Sequence, residues 1–180
     1  LKAQCMKHIA RQAPQTFLQA LQLLFFSHFL DQLDCCGDAS SFGRVDQLLY
    51  LFYQHDIVSG NLSKQTAFEF VCHFIIKNWK PQASCNMTIG GLKSDGSDAV
   101  NEVSYLFLEA MKQTQTAVDL SVRLHPLNPE GFYRAAASLI RKGMGRPSVY
   151  NDEVTIRALT KRGIELEDAR KYAPLGCAEV

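Results

Sequence analysis

The last eight residues of the chain, A-P-L-G-C-A-E-V (Ala173 to Val180), set a thiol and a carboxylate two positions apart. In an extended segment residues i and i+2 project to the same side. Cys177 and Glu179 would then face one space, with Ala178 turned away. Gly176, just before them, permits a sharp bend or a close approach to another segment. A cysteine nucleophile needs an imidazole or a cation nearby to become thiolate. Here the near neighbour is an anion, which favours the neutral thiol. The pair suits a thiol that keeps its hydrogen and a separate carboxylate that acts as a base. Taken alone, the same two residues also fit a small buried cysteine beside a surface glutamate, because free cysteines commonly behave as buried hydrophobes.

The other chemistry-bearing residues form weaker patterns. His8, His28, His55, His73 and His125 share no metal-ligand spacing. Ser27 and His28 interrupt the apolar run Leu18 to Leu30 and are candidates for lining a substrate cavity; the alternative is a core histidine satisfied by a partner. In K-S-D-G-S-D, taking Gly96 as the turn glycine of a calcium loop puts Gly91 where the first carboxylate belongs, so the oxygen cage is incomplete. G-G-L-K-S-D-G lacks Gly-Lys-Ser/Thr for phosphate, and G-M-G-R-P lacks the third glycine and the preceding strand of a dinucleotide site. The six cysteines (5, 35, 36, 72, 85 and 177) form no C-x-x-C pair and no zinc spacing. With no secretory signal, reduced thiols in a cytoplasm are expected. A net charge of +1 without a basic run excludes nucleic acid as the expected partner. The apolar run is too short for a membrane span, which takes ~20 apolar residues.

The elements that must position these residues can be read from periodicity. The 180 residues fit one domain or a piece of a larger one. Phe17, Leu18, Leu21, Leu24, Phe25 and Phe29 recur at helical steps between Pro14 and Leu33, although the later part could be a buried strand. Asp34 to Arg44 is rich in Gly, Ser and Asp and predicts a loop. A short helix is expected over 45–54. Ser63 caps another that carries Ala67, Phe70, Val71, Phe74 and Ile75 and ends by Pro81. C-N-M-T-I predicts a strand. Asp95, Ser97 and Asp98 offer acceptors to the start of a helix with Val100, Val103, Phe107 and Met111 on its apolar face. D-L-S-V-R-L-H alternates like a half-buried strand. Asn128-Pro129-Glu130 opens a helix closed by Arg141-Lys142-Gly143. S-V-Y-N is a short strand, and Asp152 caps the helix after it. No repeat of 20 to 50 residues is present. The class is α/β, leaning helical.

Several separated blocks share a further property. A-L-Q-L-L-F-F-S-H-F-L-D-Q-L (Ala20 to Leu33), S-F-G-R-V-D-Q-L-L-Y-L-F-Y-Q-H-D (Ser41 to Asp56), M-T-I-G-G-L-K-S-D-G-S-D-A-V-N-E-V-S-Y-L-F-L-E-A (Met87 to Ala110), Asp119 to His125, K-G-M-G-R-P-S-V-Y-N-D-E-V (Lys142 to Val154) and the final Y-A-P-L-G-C-A-E-V resemble, in order, blocks of the glycyl radical enzymes, the pyruvate formate-lyase-like superfamily. The resemblance implies a helix-rich partial fragment of a ten-stranded α/β barrel, several times longer than this chain when intact, with residues 1–180 forming part of the barrel domain. It puts Cys177 at the thiyl position and Glu179 at the acid of a G-C-x-E loop. No R-V-x-G-Y/F segment is present, so the C-terminal domain with the radical-storing glycine is expected to be absent from this chain. Ala178 and Val180 stand where the family's lyases usually have Val and Pro, and Ala178 occupies the place of the second cysteine of the formate-lyase branch, which argues against formate production from pyruvate.

The resemblance implies a radical lyase or dehydratase. Cys177, as a thiyl, takes a hydrogen atom from a substrate carbon, Glu179 deprotonates the adjacent hydroxyl, and water or another β leaving group departs. Burial in the barrel would raise the Glu179 pKa and exclude water. The implied cofactor is a glycyl radical installed by an S-adenosylmethionine-dependent iron–sulfur activating enzyme. The implied partners are a small-molecule substrate, that activating enzyme and a second copy in a homodimer, without nucleic acid or membrane. The implied setting is the cytoplasm of an anaerobic prokaryote, or a bacterial microcompartment. A glycyl radical decarboxylase, a non-catalytic helical interaction domain and a Cys-dependent hydrolase are the alternatives. Arg44, Asp46, Asp95, Asp98, Asn101 and Glu102 match family positions and are expected to cap helices or brace loops. Alone, the fragment would leave strand edges and apolar faces uncovered and be poorly soluble.

Overall fold

The computed structural model describes residues 2–35, 39–79, 84–176 and 179–180. In chain order the elements are α1 (Lys2–Ile9), α2 (Phe17–Cys35), β1 (Ala39–Arg44), α3 (Val45–Val58), α4 (Lys64–Asn78), β2 (Ser84–Gly90), α5 (Glu102–Thr114), β3 (Leu120–Leu124), α6 (Glu130–Ile140), β4 (Ser148–Asn151), α7 (Asp152–Lys161) and α8 (Leu166–Ala169). The four strands form one parallel sheet in the order β1-β2-β3-β4. Parallel neighbours need a crossover, and helices supply each one. The α/β class holds, and the whole of the apolar run after Pro14 is helical.

Helices α2 to α6 pack on one face of the sheet, and α7 and α8 form a smaller cluster with Leu92. Met87 and Ile89 of β2 and Leu120 and Val122 of β3 share a core with Leu49 of α3, Val71 and Ile75 of α4, Val103, Phe107 and Met111 of α5, and Phe132 and Leu139 of α6. Full burial of such side chains stabilises by about 1.5–3 kcal/mol each. The alternate residues, Asn86, Thr88, Ser121 and Arg123, project to the opposite face and are also buried. A half-buried β3 was the expectation from its alternation. The structure buries Ser121 and Arg123 because the chain's own C-terminal segment lies across that polar face.

Other differences trace to long-range pairing. The polar stretch before Arg44 contains strand β1, because its backbone pairs in parallel with β2 some 45 residues later. Its register shifts between Ser41 and Gly43, a bulge that leaves Phe42 as the extra residue and uses a positive φ of 66° at Gly43. Helix α3 runs on to Val58, past the expected end at Gln54. The cap of α5 is Asn101, whose side chain accepts from the N–H groups of Val103 and Ser104 while the Ser104 hydroxyl accepts from the Asn101 N–H, a reciprocal box. Asp95 and Asp98 brace the preceding turn, accepting from the N–H groups of Ser97 and Val100. Ser63 caps α4 as expected. Asn128 ties loops together by donating to the Gly91 carbonyl and Asp98, and α6 starts after Pro129 without a side-chain cap. Asn151 caps α7, and Asp152 turns inward.

Candidate functional site

The C-terminal segment is held by side chains of the sheet rather than by a neighbouring strand. Arg123, in the middle of β3, is fully buried and pairs bidentately with the equally buried Asp152 at the start of α7: Nε donates to Oδ1 at 2.8 Å and Nη2 to Oδ2 at 2.8 Å. The same guanidinium donates to the carbonyls of Arg170 (2.8 Å) and Tyr172 (2.7 Å) and lies 3.8 Å from the centre of the Tyr172 ring. The Tyr172 hydroxyl donates to Asp152 Oδ1 at 2.7 Å. Burial first, and the negative charge of Asp152 second, push the Tyr172 phenol pKa up.

Farther along, the Ser41 hydroxyl donates to the Pro174 carbonyl at 3.0 Å and the Asn86 carboxamide donates to the Gly176 carbonyl at 3.1 Å. The carbonyls of residues 170, 172, 174 and 176 therefore all accept from side chains of the polar face, the first at the helical end of α8 and the others along the chain that follows it. Arg44 adds a long contact of 3.4 Å to the Arg170 carbonyl and shorter ones to Leu92 (2.7 Å) and Gly90 (2.8 Å). Its pKa is pulled down to about 10, by burial first and then by the positive charge of Arg123. Asp46 accepts from the Gly90 N–H and the Ser104 hydroxyl, and burial raises its carboxyl pKa. Arg44, Asp46 and Asn101 thus brace loops and a helix end, as expected of them.

At the end of this ladder the chain reverses. The Leu175 N–H donates to the Glu179 carbonyl at 2.8 Å and the Glu179 N–H to the Leu175 carbonyl at 3.0 Å, closing a tight turn that Gly176 enters at φ +56°. Cys177, the predicted thiol, lies outside the described residues, as does Ala178. Glu179 is exposed.

The other predicted pair sits elsewhere. Ser27 is exposed on α2. His28 Nδ1 is 2.8 Å from the Ser40 hydroxyl and 3.9 Å from the Cys85 sulfur, and its ring packs on Phe42. Ser40 and Cys85 are register partners on the helix side of β1 and β2, whereas Ser41 and Asn86, the next pair, face the C-terminal segment. The structure therefore keeps His28 and that segment on opposite faces of the sheet. Among the described residues Cys5, Cys72 and Cys85 are free and buried, and burial raises the Cys85 thiol pKa well above its usual range. No group of three or more metal-ligating side chains occurs among the described residues, and no described helix is long and apolar enough to cross a membrane.

A family model described as pyruvate formate lyase-like matches residues 3–180. The chain belongs to the pyruvate formate lyase-like family. Among pyruvate formate lyase-like relatives, it is 39% identical to the probable dehydratase YbiW of Escherichia coli strain K12, covering 95% of this chain and 24% of that protein. It is 31% identical to the 4-hydroxyphenylacetate decarboxylase glycyl radical subunit of Clostridioides difficile, covering 97% and 22%. It superposes on the solved B12-independent glycerol dehydratase of Clostridium butyricum with a TM-score of 0.88 at 34% identity, covering 97% of this chain and 24% of that one. The chain thus spans about a quarter of the length of these pyruvate formate lyase-like relatives, and its sheet corresponds to part of a glycyl radical enzyme barrel.

Sequence reasoning named Cys177 and Glu179 as candidates, read Asp152 only as a helix cap, and did not single out Arg123, Ser41, Asn86 or Tyr172. One signal was available: a polar residue in the centre of each inner strand, Asn86 in β2 and Arg123 in β3, is unexpected in a parallel sheet buried on both faces.

Proposed function

We propose that the protein to which this chain belongs is a glycyl radical lyase that eliminates water, or another β leaving group, from a small hydroxylated substrate, with Cys177 and Glu179 carrying the chemistry. The observation that supports this function is the set of held carbonyls from 170 to 176, which brings the chain as far as Gly176, the residue before Cys177, across the polar face of a parallel sheet. The dehydratase names of relatives that match nearly all of the chain support it.

A glycyl radical fits the donor chemistry of this segment, because a stored carbon radical needs a thiol to act through, and Cys177 directly follows Gly176, whose carbonyl Asn86 holds. Held elsewhere in the protein and installed by an S-adenosylmethionine-dependent iron–sulfur activating enzyme, that group supplies the one-electron oxidising equivalent that makes Cys177 a thiyl. The Cys177 sulfur takes a hydrogen atom from the carbon that bears the substrate hydroxyl, breaking C–H and forming S–H. Glu179 takes the hydroxyl proton. The β C–O bond then breaks heterolytically, and the departing hydroxide receives the proton from Glu179 and leaves as water. Cys177 returns its hydrogen atom to the carbon radical, which completes a carbonyl product and restores the thiyl. The sheet covers one side of the segment that ends at Gly176, and exclusion of water from the rest falls to the other parts of the barrel in this proposal. The intact protein is a cytoplasmic homodimer in this proposal, with the radical-storing glycine in a domain outside these residues and substrate selectivity set by other barrel side chains. His28 braces the starts of β1 and β2, and the proposal places no substrate on it or on Ser27.

The decarboxylase among the relatives favours a second reading, release of carbon dioxide by the same thiyl. Anaerobic activation of the full-length protein, followed by electron paramagnetic resonance and product analysis, tests both. The expected results are a glycyl signal, a carbonyl product without carbon dioxide, and abolished turnover with a retained signal in Cys177→Ser. Glu179→Gln should lower kcat by about 10²–10⁴-fold, the usual contribution of a positioned acid or base. A Cys177→Ser enzyme that still turns over substrate would overturn the assignment.

A further inference from the structure

We infer that Asn86 is a positioning residue for the radical step, which it serves by fixing the peptide immediately ahead of Cys177. This rests on the role proposed for Cys177. Asn86 lies at the centre of β2, 1% exposed, and its Nδ2 donates to the Gly176 carbonyl, the oxygen of the Gly176–Cys177 peptide group. A carbonyl accepts only a donor, so the orientation of the carboxamide is fixed by the bond itself.

The other half of that carboxamide has no partner among the described residues: Oδ1 is buried and makes no hydrogen bond to them. Burying an unpaired amide oxygen costs about 1–3 kcal/mol, and an apolar side chain of similar size would avoid the cost. A half-satisfied asparagine in the middle of a buried parallel strand works against stability, and what it provides is one donor aimed at residue 176. Buried polar groups left partly unpaired are uncommon and call for a functional explanation.

The neighbouring strand adds a second hold. The bulge at Phe42 breaks the β1 register beside Ser41. The Ser41 hydroxyl accepts from the Gly43 N–H and directs its hydrogen between the Asn86 and Pro174 carbonyls, at 3.2 and 3.0 Å. Bulges commonly re-aim a side chain beside a functional site. Between these two donors the Leu175 carbonyl is taken by the Glu179 N–H. Carbonyls 174, 175 and 176 are thus all fixed, up to the peptide group that leads into residue 177. Hydrogen-atom transfer requires reacting atoms within about 3–3.5 Å, so a loop released by about an ångström loses rate without losing substrate affinity.

The test uses the full-length protein in two states. Before activation, the alkylation rate of Cys177 by iodoacetamide is followed by mass spectrometry. After activation, the radical content is read by electron paramagnetic resonance and the steady-state constants are measured. Asn86→Leu should raise the alkylation rate at least about fivefold and lower kcat about 10–100-fold, with KM within about twofold and radical content unchanged. In Asn86→Asp a protonated carboxyl can donate and a carboxylate cannot, so its alkylation rate, normalised to wild type at each pH, should return toward wild type as pH falls. Thr88→Val, on the same face with no bond to the segment, should leave both readouts unchanged. If Asn86→Leu does not fold, Asn86→Asp at two pH values decides. An alkylation rate within twofold of wild type, or an unchanged kcat, in Asn86→Leu, or an alkylation rate of Asn86→Asp relative to wild type that does not change with pH, overturns the inference. Absence of any glycyl signal in the wild type overturns the proposed function instead, and the alkylation arm remains readable.

Discussion

Replacing Arg123 by Met removes the hub of the polar face while keeping a long apolar stem in its place. The guanidinium makes two hydrogen bonds to the segment, at the carbonyls of Arg170 and Tyr172. Hydrogen bonds to charged groups contribute about 1.5–3 kcal/mol each, so the segment loses at least about 3 kcal/mol of hold. At 1.4 kcal/mol per power of ten, the population of the released segment rises by about 10²-fold or more. Released chain exposes Arg170 and Lys171 to trypsin, and cleavage tracks the open population when closing is fast. The substitution also strands Asp152, which is fully buried and keeps only the Tyr172 hydroxyl and the Leu92 N–H. Breaking a buried pair from one side costs about 3–5 kcal/mol because a charge is left uncompensated. These two effects separate in the double variant Arg123→Met/Asp152→Asn. That protein should regain much of the lost global stability in urea, yet remain as open to trypsin at 170 and 171 as the single variant. Cleavage of Arg123→Met within about threefold of wild type, in the full-length protein, would refute the claim that this side chain holds the loop.

Two further outcomes follow from the same frame. Asp46 has a folded pKa raised by burial, so between about 3.9 and that raised value the native state binds more protons than the unfolded one. Stability should fall as pH rises through that window, and Asp46→Asn, which keeps an oxygen for the Gly90 N–H and the Ser104 hydroxyl, should abolish that part of the slope in urea melts at several pH values. Gly91→Ala should destabilise by about 3 kcal/mol or more. Its added carbon would lie 2.6 Å from Asp152 Oδ2 and 2.7 Å from Arg123 Nε, at a φ of +75°, so both the backbone and the buried pair must give way. A melting temperature unchanged from wild type would contradict that packing.

Much of the framework was legible because its causes are local. Ser63 before α4 and the 3.6-residue apolar stripes are patterns within one turn or two of chain. Strand β1 was not legible. A-S-S-F-G-R has the composition of a loop, and only pairing with β2 makes it a strand. Asp152 has the sequence position of a helix cap, yet the short polar role fell to Asn151, while Asp152 met an arginine 29 residues earlier.

By itself the sequence determined most of the helices and strands, the α/β class and the C-x-E motif with its family resemblance. The tertiary structure alone decided what holds the segment that leads into it: Arg123 with Asp152, Asn86 with Gly176 across 90 residues, and Ser41 with Pro174 across 133. The reason is geometric. Neighbours on one helix or strand are fixed by a period of a few residues, whereas parallel strands meet only after a helical crossover, and no local period reports which polar residues that crossover brings face to face.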